Sequence, residues 1–276
     1  MNLKRKKYNI TRQVMDRTLN NILYETSEYE DYEAFVNAKD KIIGKAHNNK
    51  GIGTLSEKTL HAVLKLYYEP DEDKHEVAMS GYYADIYNDK GIIEIQTRQL
   101  NKLRDKLSVF LQDYHVTVVY PLPFNKWLSW VNPDNGEVQG RRKSPRHFTE
   151  YDAFYELYKI KSYLKNPNLS INLVLMDMEE YKLLNGWSYD KKRGSTRYDR
   201  VPVGIRRIVK FDRIEDYMQL VTADLKEDFT VKDFAMAAGV SVEASRYTLN
   251  ILNYLEIVKR TGRVKNGYVY NVTEEF

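Results

Sequence analysis

The sequence predicts a mixed α/β domain, with a mixed sheet flanked by helices, followed by a small domain of three helices and a β-hairpin. Two regions support this prediction. Patterns typical of helices and strands alternate between Gly51 and Pro123, and amphipathic helices followed by two short strands occupy the chain after Asp212. We therefore expect an N-terminal helical segment at residues 1–48, the α/β domain at residues 49–211 and the small domain at residues 212–276.

The composition is that of a globular protein. The 276 residues are 42% hydrophobic and 30% charged, which is enough apolar content for a sizeable core. The formal net charge of +4 is consistent with nucleic-acid binding without requiring it. Cysteine is absent, which excludes a disulfide framework and a thiolate zinc site. No apolar run of transmembrane length and no signal-peptide pattern is found, so we expect a cytoplasmic protein.

A β-hairpin is predicted at the centre of the first region. Its strands run from Tyr82 to Asn88 and from Ile92 to Thr97, with apolar residues along one face. The linking residues Asn88-Asp89-Lys90-Gly91 are typical of a tight turn, because Gly, Asn and Asp tolerate positive φ. If Asn88 pairs with Gly91, the register of the whole hairpin is fixed.

This register places two carboxylates on the same face. Asp85 then lies opposite Glu94, and Gln96 shares their face because successive residues of a strand alternate. Like charges opposed across a ladder destabilise it, and a divalent cation bound by oxygen ligands would compensate. The alternative interpretation is that both acids belong to the solvated face of an antiparallel sheet.

The elements around the hairpin complete an ordered series. A helix is predicted from Ser56 to Tyr68, with Glu57 in its first turn, and a short strand from Glu76 to Ser80. After the hairpin, a helix from Arg98 to Asp113 precedes a β-branched strand from His115 to Tyr120. The predicted order is therefore α-β-β-β-α-β.

This order, together with Asp85 and the tripeptide Glu94-Ile95-Gln96, resembles the PD-(D/E)xK nuclease superfamily, which has the restriction-endonuclease-like fold. In that superfamily an Asp ends one strand, an acidic-x-Lys tripeptide lies on the next, and an acidic residue on the preceding helix often completes the metal site. The resemblance assigns that helix position to Glu57. Gln96 departs from the pattern, which usually has Lys there. The chain is also similar to an uncharacterised bacterial family that carries this core.

The resemblance implies hydrolysis of DNA phosphodiester bonds with Mg²⁺ or Mn²⁺ as the cofactor. Asp85 and Glu94 would bind the metal ion, and Glu57 would bind a second ion or orient a water. Gln96 would position that water by hydrogen bonding, since an amide cannot act as a base. His61 lies four residues after Glu57, on the same helix face, and would contact substrate or a further water.

Gln96 leaves the predicted site without a cation that would stabilise a developing anion. Two lysines are candidates to replace it. Lys65 continues the helix face that carries His61, and Lys102 lies on the helix after the hairpin.

Two basic loops predict contacts with nucleic acid. Both combine Arg and Lys with Gly and Ser, which allows close approach to a phosphate backbone. The candidate residues are Arg141, Arg142, Lys143 and Arg146 in the first loop, and Lys191, Lys192, Arg193 and Arg197 in the second. Charge runs are also common on ordinary solvated surface. Between the loops, a helix at residues 151–164 and an apolar strand at residues 170–176 are expected to extend the sheet.

Three helices and a hairpin are predicted in the C-terminal region. The helices are Ile214–Leu225, Thr230–Ala238 and Ser241–Tyr254, and the strands are Glu256–Arg260 and Tyr268–Val272. Thr230 has the side chain of a helix N-cap. The order of these elements resembles a winged helix-turn-helix domain.

The winged-helix resemblance implies that the third helix enters the major groove of DNA and that the hairpin contacts the backbone. Arg246 and Asn250 would then reach base edges, while Arg263 and Lys265 would meet phosphates. Winged helices also serve as protein-docking modules, and the sequence does not separate these two uses.

The preferred function is therefore a metal-dependent nuclease that acts on DNA in restriction, defence or repair. A homodimer is expected if the enzyme cuts both strands. Two alternatives stay open. One is a DNA-binding transcriptional regulator that keeps the fold without catalysis, and the other is a winged-helix module that binds protein.

Overall fold

The computed structural model describes residues 32–48, 59–135, 137–186, 196–222, 224–265 and 267–273. Its contacts divide the chain into two compact units. The first unit comprises Met1–His75, Pro123–Phe148 and Val174–Arg207, and the second comprises Glu76–Leu122, Thr149–Leu173 and Ile208–Phe276. This division does not follow the predicted boundaries at residues 48/49 and 211/212, since the C-terminal elements belong to the same unit as the hairpin.

Seven strands form one mixed sheet in the described part of the chain. They are β1 (His75–Met79), β2 (Tyr82–Asn88), β3 (Gly91–Ile95), β4 (Val116–Val131), β5 (Val138–Lys143), β6 (Leu169–Leu183) and β7 (Thr196–Phe211). The order is β1-β2-β3-β4-β6-β7, and β5 pairs with β4. The β2–β3 pair is antiparallel and the β3–β4 pair is parallel. The predicted α/β class and mixed sheet are thus confirmed.

The predicted hairpin register is confirmed. Asn88 pairs with Gly91, and Ile86 pairs with Ile93. Gly91 has a φ of +103°, and a Cβ atom built there would lie 2.4 Å from the carbonyl oxygen of His115. The same oxygen accepts a hydrogen bond of 2.9 Å from the Ile92 N–H. Glycine is therefore required at position 91, where β3 begins and pairs in parallel with β4.

Among the described residues before the C-terminal region, the helices are α1 (Tyr32–Asn48), α2 (Thr59–Tyr68), α3 (Arg104–Asp113) and α4 (Phe154–Leu157). A 3₁₀ turn at Leu100–Leu103 leads into α3, where a single helix from Arg98 was predicted. The predicted helix at residues 151–164 is instead α4 between 3₁₀ turns at Glu150–Ala153 and Tyr158–Tyr163. We call this stretch the α4 segment. Another 3₁₀ turn spans Glu72–Lys74.

The C-terminal elements follow the predicted order. A 3₁₀ turn at Ile214–Leu220 stands where the first helix was expected, and it is followed by β8 (Phe229–Thr230), α5 (Val231–Ala237), α6 (Val242–Tyr254), β9 (Val258–Val264) and β10 (Gly267–Val272). These strands form a separate sheet in the order β8-β10-β9. Thr230 caps α5 and Ser241 caps α6 through side-chain oxygens, which explains why both helices begin where predicted.

Four of the basic residues predicted in loops lie in strands, whereas Arg146 lies after the end of β5. Arg141, Arg142 and Lys143 lie on β5, and Arg197 lies near the start of β7. The strand β7 itself was not predicted. Lys191, Lys192 and Arg193 lie outside the described residues, as does Glu57.

Each unit has its own apolar core. In the first unit, a buried cluster comprises Ile43, Val131, Val138, Tyr181 and Val201. In the second unit, apolar residues of β3 and β4 are buried together with Leu107 and Phe110 of α3. Within the described residues, none of the helices has the length and apolar character needed to cross a membrane.

Candidate active site

The structure brings together the two carboxylates that the hairpin register predicts. Asp85 lies on β2 and Glu94 on β3, one position beyond the paired Ile86 and Ile93. The backbone N–H of Ile95 donates a hydrogen bond of 2.7 Å to Oδ2 of Asp85, which fixes this carboxylate against the neighbouring strand. The Glu94 side chain is only 2% exposed, so this carboxyl group is held in a nearly water-free environment.

Burial and charge both perturb Glu94. Loss of solvation is the largest cause and the charge of Asp85 is the second, and together they raise the pKa of Glu94 to about 7. The charge and hydrogen bonds of Lys106 act in the opposite direction. Glu94 therefore changes its charge close to neutral pH, where an ordinary glutamate is fully ionised.

Lys106 is the cation of this site, and it was not among the site residues predicted from the sequence. Its Nζ lies 3.0 Å from Oε1 and 2.9 Å from Oε2 of Glu94, so it donates to both oxygens. Lys106 belongs to α3 and shares a helix face with the buried Leu103, Leu107 and Phe110. The signal in the sequence was the position of Lys106 at helical spacing among apolar residues. A lysine on such a face indicates a buried partner of opposite charge.

The lysines proposed from the sequence lie elsewhere. Lys102 is exposed on the 3₁₀ turn before α3. Lys65 is buried on α2, in the first unit. His61 is half-buried on the same helix. The structure therefore unites Asp85, Glu94 and Lys106 within the second unit.

Gln96 is engaged differently from the prediction. Its Nε2 donates hydrogen bonds to the carbonyl oxygen of Arg98 at 2.5 Å and to that of Gln99 at 3.4 Å. Gln99 has a φ of +58°, so the amide holds a strained turn between β3 and α3. The amide nitrogen of Gln96 therefore donates to backbone carbonyl groups, and its side-chain carbonyl oxygen remains as the acceptor for a water.

The carboxylate pair matches the ligand chemistry of Mg²⁺. This ion commonly binds proteins through one or two carboxylates and takes its other ligands from water and phosphate oxygens. Asp85 and Glu94 supply two such groups, and the charge of Asp85 contributes to the raised pKa of Glu94. Across the ranges described here, no cluster of three or more His, Asp or Glu side chains is arranged to hold a metal.

The basic residues of β5 form a row of cations on aromatic rings in the first unit. Arg141 lies 5.0 Å from the ring centre of Trp127 and Lys143 lies 5.6 Å from it, while Arg142 lies 5.8 Å from the ring centre of Trp130. Arg141 also donates to Glu179 at 2.8 Å, which commits its charge to an internal pair. Arg142 and Lys143 remain exposed and suited to phosphate contacts.

Arg146 is exposed close to the end of β5 and lies 4.3 Å from the ring centre of Phe148. It continues the pattern of a cation held over an aromatic ring, which restrains the guanidinium without neutralising it.

Much of the predicted recognition face of α6 is covered within the second unit. The Tyr247 ring packs edge-on against Tyr155 and Tyr158 of the α4 segment, with ring centres 5.1 and 5.5 Å apart. Asn250 accepts a hydrogen bond of 3.1 Å from Lys161. Asn250 is thus committed to an internal contact rather than presented to bases, whereas Arg246 is exposed.

The basic hairpin β9–β10 is exposed. The guanidinium of Arg260 lies 4.1 Å and that of Arg263 4.6 Å from the ring centre of Tyr268. Arg263 also donates a hydrogen bond of 2.7 Å to the Tyr268 hydroxyl, and this bond lowers the pKa of Tyr268. Lys265 is exposed at the tip. The predicted phosphate-binding residues Arg263 and Lys265 are therefore both accessible.

Comparison with known proteins identifies the family of this chain. Residues 58–212 match the model of a protein family described as Domain of unknown function (DUF8091), and the chain belongs to that family. It is also similar to an uncharacterized protein of Treponema pallidum (strain Nichols), with 29% identity over 208 residues, which cover 73% of this chain and 79% of the relative. No solved structure gives a significant match. The matched family region contains Asp85, Glu94 and Lys106 and ends before α5.

Proposed function

We propose that this protein is a Mg²⁺- or Mn²⁺-dependent nuclease that hydrolyses phosphodiester bonds of DNA. The observation that carries the proposal is the constellation of Asp85 and Glu94 on neighbouring strands with Lys106 bonded to Glu94. Two acids on a strand pair, with a lysine that α3 brings to them, offer the residue types that the PD-(D/E)xK resemblance implies, although the lysine comes from a helix instead of the strand. The mixed sheet with flanking helices is consistent with that resemblance.

Each side chain has a distinct part in the proposed chemistry. Asp85 and Glu94 would hold the metal ion, which would supply a polarised phosphate and a bound water of lowered pKa. Lys106 lowers the pKa of Glu94, against the larger opposing effects of burial and Asp85, and would place one positive charge where negative charge develops on the phosphate. Lys106 thereby fills the role that Gln96, bound to the backbone, does not perform.

The pKa of Glu94 gives the proposal a pH signature. A carboxyl group binds a metal in its ionised form, and the pKa of Glu94 is about 7. We expect metal-dependent cleavage to rise as the pH increases through neutrality and to level off above it.

DNA binding is proposed to use the exposed cations. Arg142, Lys143 and Arg146 lie on or near β5, and Arg263 and Lys265 lie on the basic hairpin. The β8-β10-β9 sheet with α5 and α6 supports a winged-helix interpretation, in which the hairpin is the wing. Because Tyr247 and Asn250 contact the α4 segment, we propose that α6 packs against that segment and does not enter the major groove of DNA.

The decisive experiment is a cleavage assay with Mg²⁺ or Mn²⁺ on duplex, single-stranded and branched DNA and on RNA. Wild type is compared with Asp85→Asn, Glu94→Gln and Lys106→Met. Matched controls are Asp105→Asn and Lys102→Met, which alter exposed residues near the same helix. Each site variant should lose at least about a hundredfold in rate, since metal ligands and charge-stabilising groups commonly contribute this much. Wild-type activity that survives in the site variants would refute the assignment.

A second candidate function is DNA binding without catalysis. The observation that favours it is that Lys106 donates to both oxygens of Glu94 and so competes with a metal ion. This candidate predicts salt-dependent DNA binding in every variant and no cutting by wild type with either metal. Weak DNA binding that does not change with salt would instead favour a protein-docking module. If wild type cuts both strands, we expect it to act as a homodimer.

A further inference from the structure

The first unit contains a buried carboxylate surrounded by four cations. Glu180 lies on β6 with its side chain 3% exposed. Lys126 of β4, Lys182 of β6, and Arg197 and Arg200 of β7 all lie within 4 Å of its oxygens. We call this group the Glu180 cluster. One negative charge thus faces four positive charges within a single unit of the protein.

None of the four cations closes to a strong hydrogen bond with Glu180. Lys126 lies 3.8 Å, Arg197 3.4 Å and Arg200 3.4 Å from Oε2, and Lys182 lies 3.7 Å from Oε1. Charge-assisted N–H···O bonds are about 2.7–2.9 Å long. In the described structure, Oε2 of Glu180 and Nε of Arg197 are both buried without a hydrogen-bond partner. Glu180 therefore does not form a close hydrogen-bonded pair with any one of the four cations.

The neighbouring acids of the same strand show what a closed pair looks like. Asp177 accepts from Nη2 of Arg206 at 2.7 Å and from the side chain of Asn125 at 2.9 Å. Glu179 accepts from Arg141 at 2.8 Å. These pairs reach full hydrogen-bond distance on the same strand, so the longer distances are specific to Glu180. The contrast sets Glu180 apart as one carboxylate shared among four cations.

The charges of the cluster perturb one another. Burial alone would raise the pKa of Glu180, but the four cations outweigh it and hold the pKa below its ordinary value. Burial lowers the pKa of Lys126, and Arg200, Arg197 and Lys182 lower it further, while Glu180 opposes them. A carboxylate that stays ionised, together with a lysine whose charge is disfavoured, indicates that the cluster carries more positive charge than its own acid neutralises.

We propose that the Glu180 cluster is a binding site for a phosphate group. A phosphate offers several acceptor oxygens and up to two negative charges, which match the surplus of positive charge around Glu180. Arginine binds phosphate in a bidentate manner and lysine binds it as a point charge. The cation side chains are 17–31% exposed, so a phosphate reaches them from solvent while Glu180 holds them in place from below. The site is independent of the proposed nuclease chemistry.

Binding is tested by calorimetry on the full chain with inorganic phosphate and pyrophosphate, at an ionic strength held constant with chloride. Lys126→Met and Arg197→Met should each weaken phosphate binding by about tenfold or more, because each removes a charge-assisted contact. Lys41→Met is the matched control, as it removes an exposed cation of the same unit, and should leave affinity unchanged. Absence of phosphate binding by wild type, or equal affinity in all variants, would overturn the proposal.

A further variant tests the proposal if Lys126→Met and Arg197→Met fold poorly. Glu180→Gln removes the internal anion and leaves four cations facing one another. We expect its melting temperature to fall in chloride, and phosphate to raise it by more than phosphate raises that of wild type. Phosphate that stabilises Glu180→Gln no more than chloride does at equal ionic strength would contradict the proposal.

The source of the phosphate is separated by a third comparison. A 5′-phosphorylated oligonucleotide is compared with the same oligonucleotide bearing a 5′-hydroxyl group, in wild type and in Lys126→Met. A preference for the phosphorylated end that Lys126→Met abolishes would assign the site to nucleic-acid termini. Phosphate or pyrophosphate binding without such a preference would assign it to a small phosphate ligand. Both outcomes support a phosphate site, and neither depends on cleavage.

Discussion

Replacing Lys106 with methionine tests how Glu94 is held in its buried position. The folded-state pKa of Glu94 is about 7, against an ordinary value of 4.5. Folding thus favours the protonated form, so the stabilising contribution of this group is complete below pH 4.5 and is lost as the pH rises through about 7. The shift corresponds to about 3 kcal/mol of unfolding free energy, at about 1.4 kcal/mol per pKa unit.

The attraction between the charges of Lys106 and Glu94 exists only while Glu94 is ionised. At about pH 5 the carboxyl is protonated with or without Lys106, so Lys106→Met should cost about 1 kcal/mol through the lost hydrogen bonds. At about pH 9, protonating Glu94 in wild type costs about 3 kcal/mol. Without Lys106 the carboxyl takes up that proton rather than remain charged and buried. The additional loss at high pH should therefore approach, and not greatly exceed, about 3 kcal/mol.

The assay is chemical denaturation of wild type and Lys106→Met at both pH values, with Lys102→Met as the exposed control. The control should stay within about 0.5 kcal/mol of wild type at each pH, as surface substitutions usually do. An equal loss for Lys106→Met at low and high pH would refute the reasoning, because it would mean that the charge state of Glu94 does not govern the interaction.

Three further predictions concern the hairpin and α6. Asp85→Asn removes the charge that raises the pKa of Glu94, so NMR titration of a labelled glutamate should show that pKa shifted downwards. Gly91→Ala should cost more than about 2 kcal/mol in denaturant unfolding, because the new Cβ would meet a carbonyl oxygen at 2.4 Å and φ is +103°. Tyr247→Ala should lower the unfolding free energy by about 2 kcal/mol, through loss of two edge-on ring contacts and buried area.

Matched variants separate these effects from general damage. Gly204→Ala is the control for Gly91→Ala, since nothing lies within 4 Å of a Cβ built at Gly204, and it should be nearly neutral. Arg246→Ala is the control for Tyr247→Ala, since Arg246 is exposed on the same helix. A Gly91→Ala protein as stable as Gly204→Ala, or an Arg246→Ala loss as large as that of Tyr247→Ala, would contradict the packing described above.

The sequence was sufficient for the hairpin because the governing rules are local. The turn from Asn88 to Gly91 and the period of two fix which residues face each other, so Asp85 and Glu94 could be placed together. Lys106 could not be placed in the same way. Its contact joins a helix to a strand, and the choice among several lysines of that region depends on how the helix packs.

The strand β7 was missed for a related reason. Its segment carries Pro202 and Gly204, which weaken a strand pattern, and several arginines that look like a solvated surface. The structure pairs Arg197 and Arg206 with buried acids of β6. A charged residue does not show the apolar pattern of a buried position. The acid that pairs with it near the core is therefore identified only once the pairing of the strands is known.

The path of the chain through the two units has a consequence for its synthesis. The first unit is assembled from three separate stretches, of which the last ends at Arg207, and the second unit resumes only at Ile208. During synthesis on the ribosome, early residues of both units are therefore made long before the residues that complete their unit. Neither unit can fold as one continuous segment. We expect nascent chains that stop before residue 207 to remain sensitive to protease and dependent on chaperones, in contrast to proteins whose domains fold one after another as they emerge.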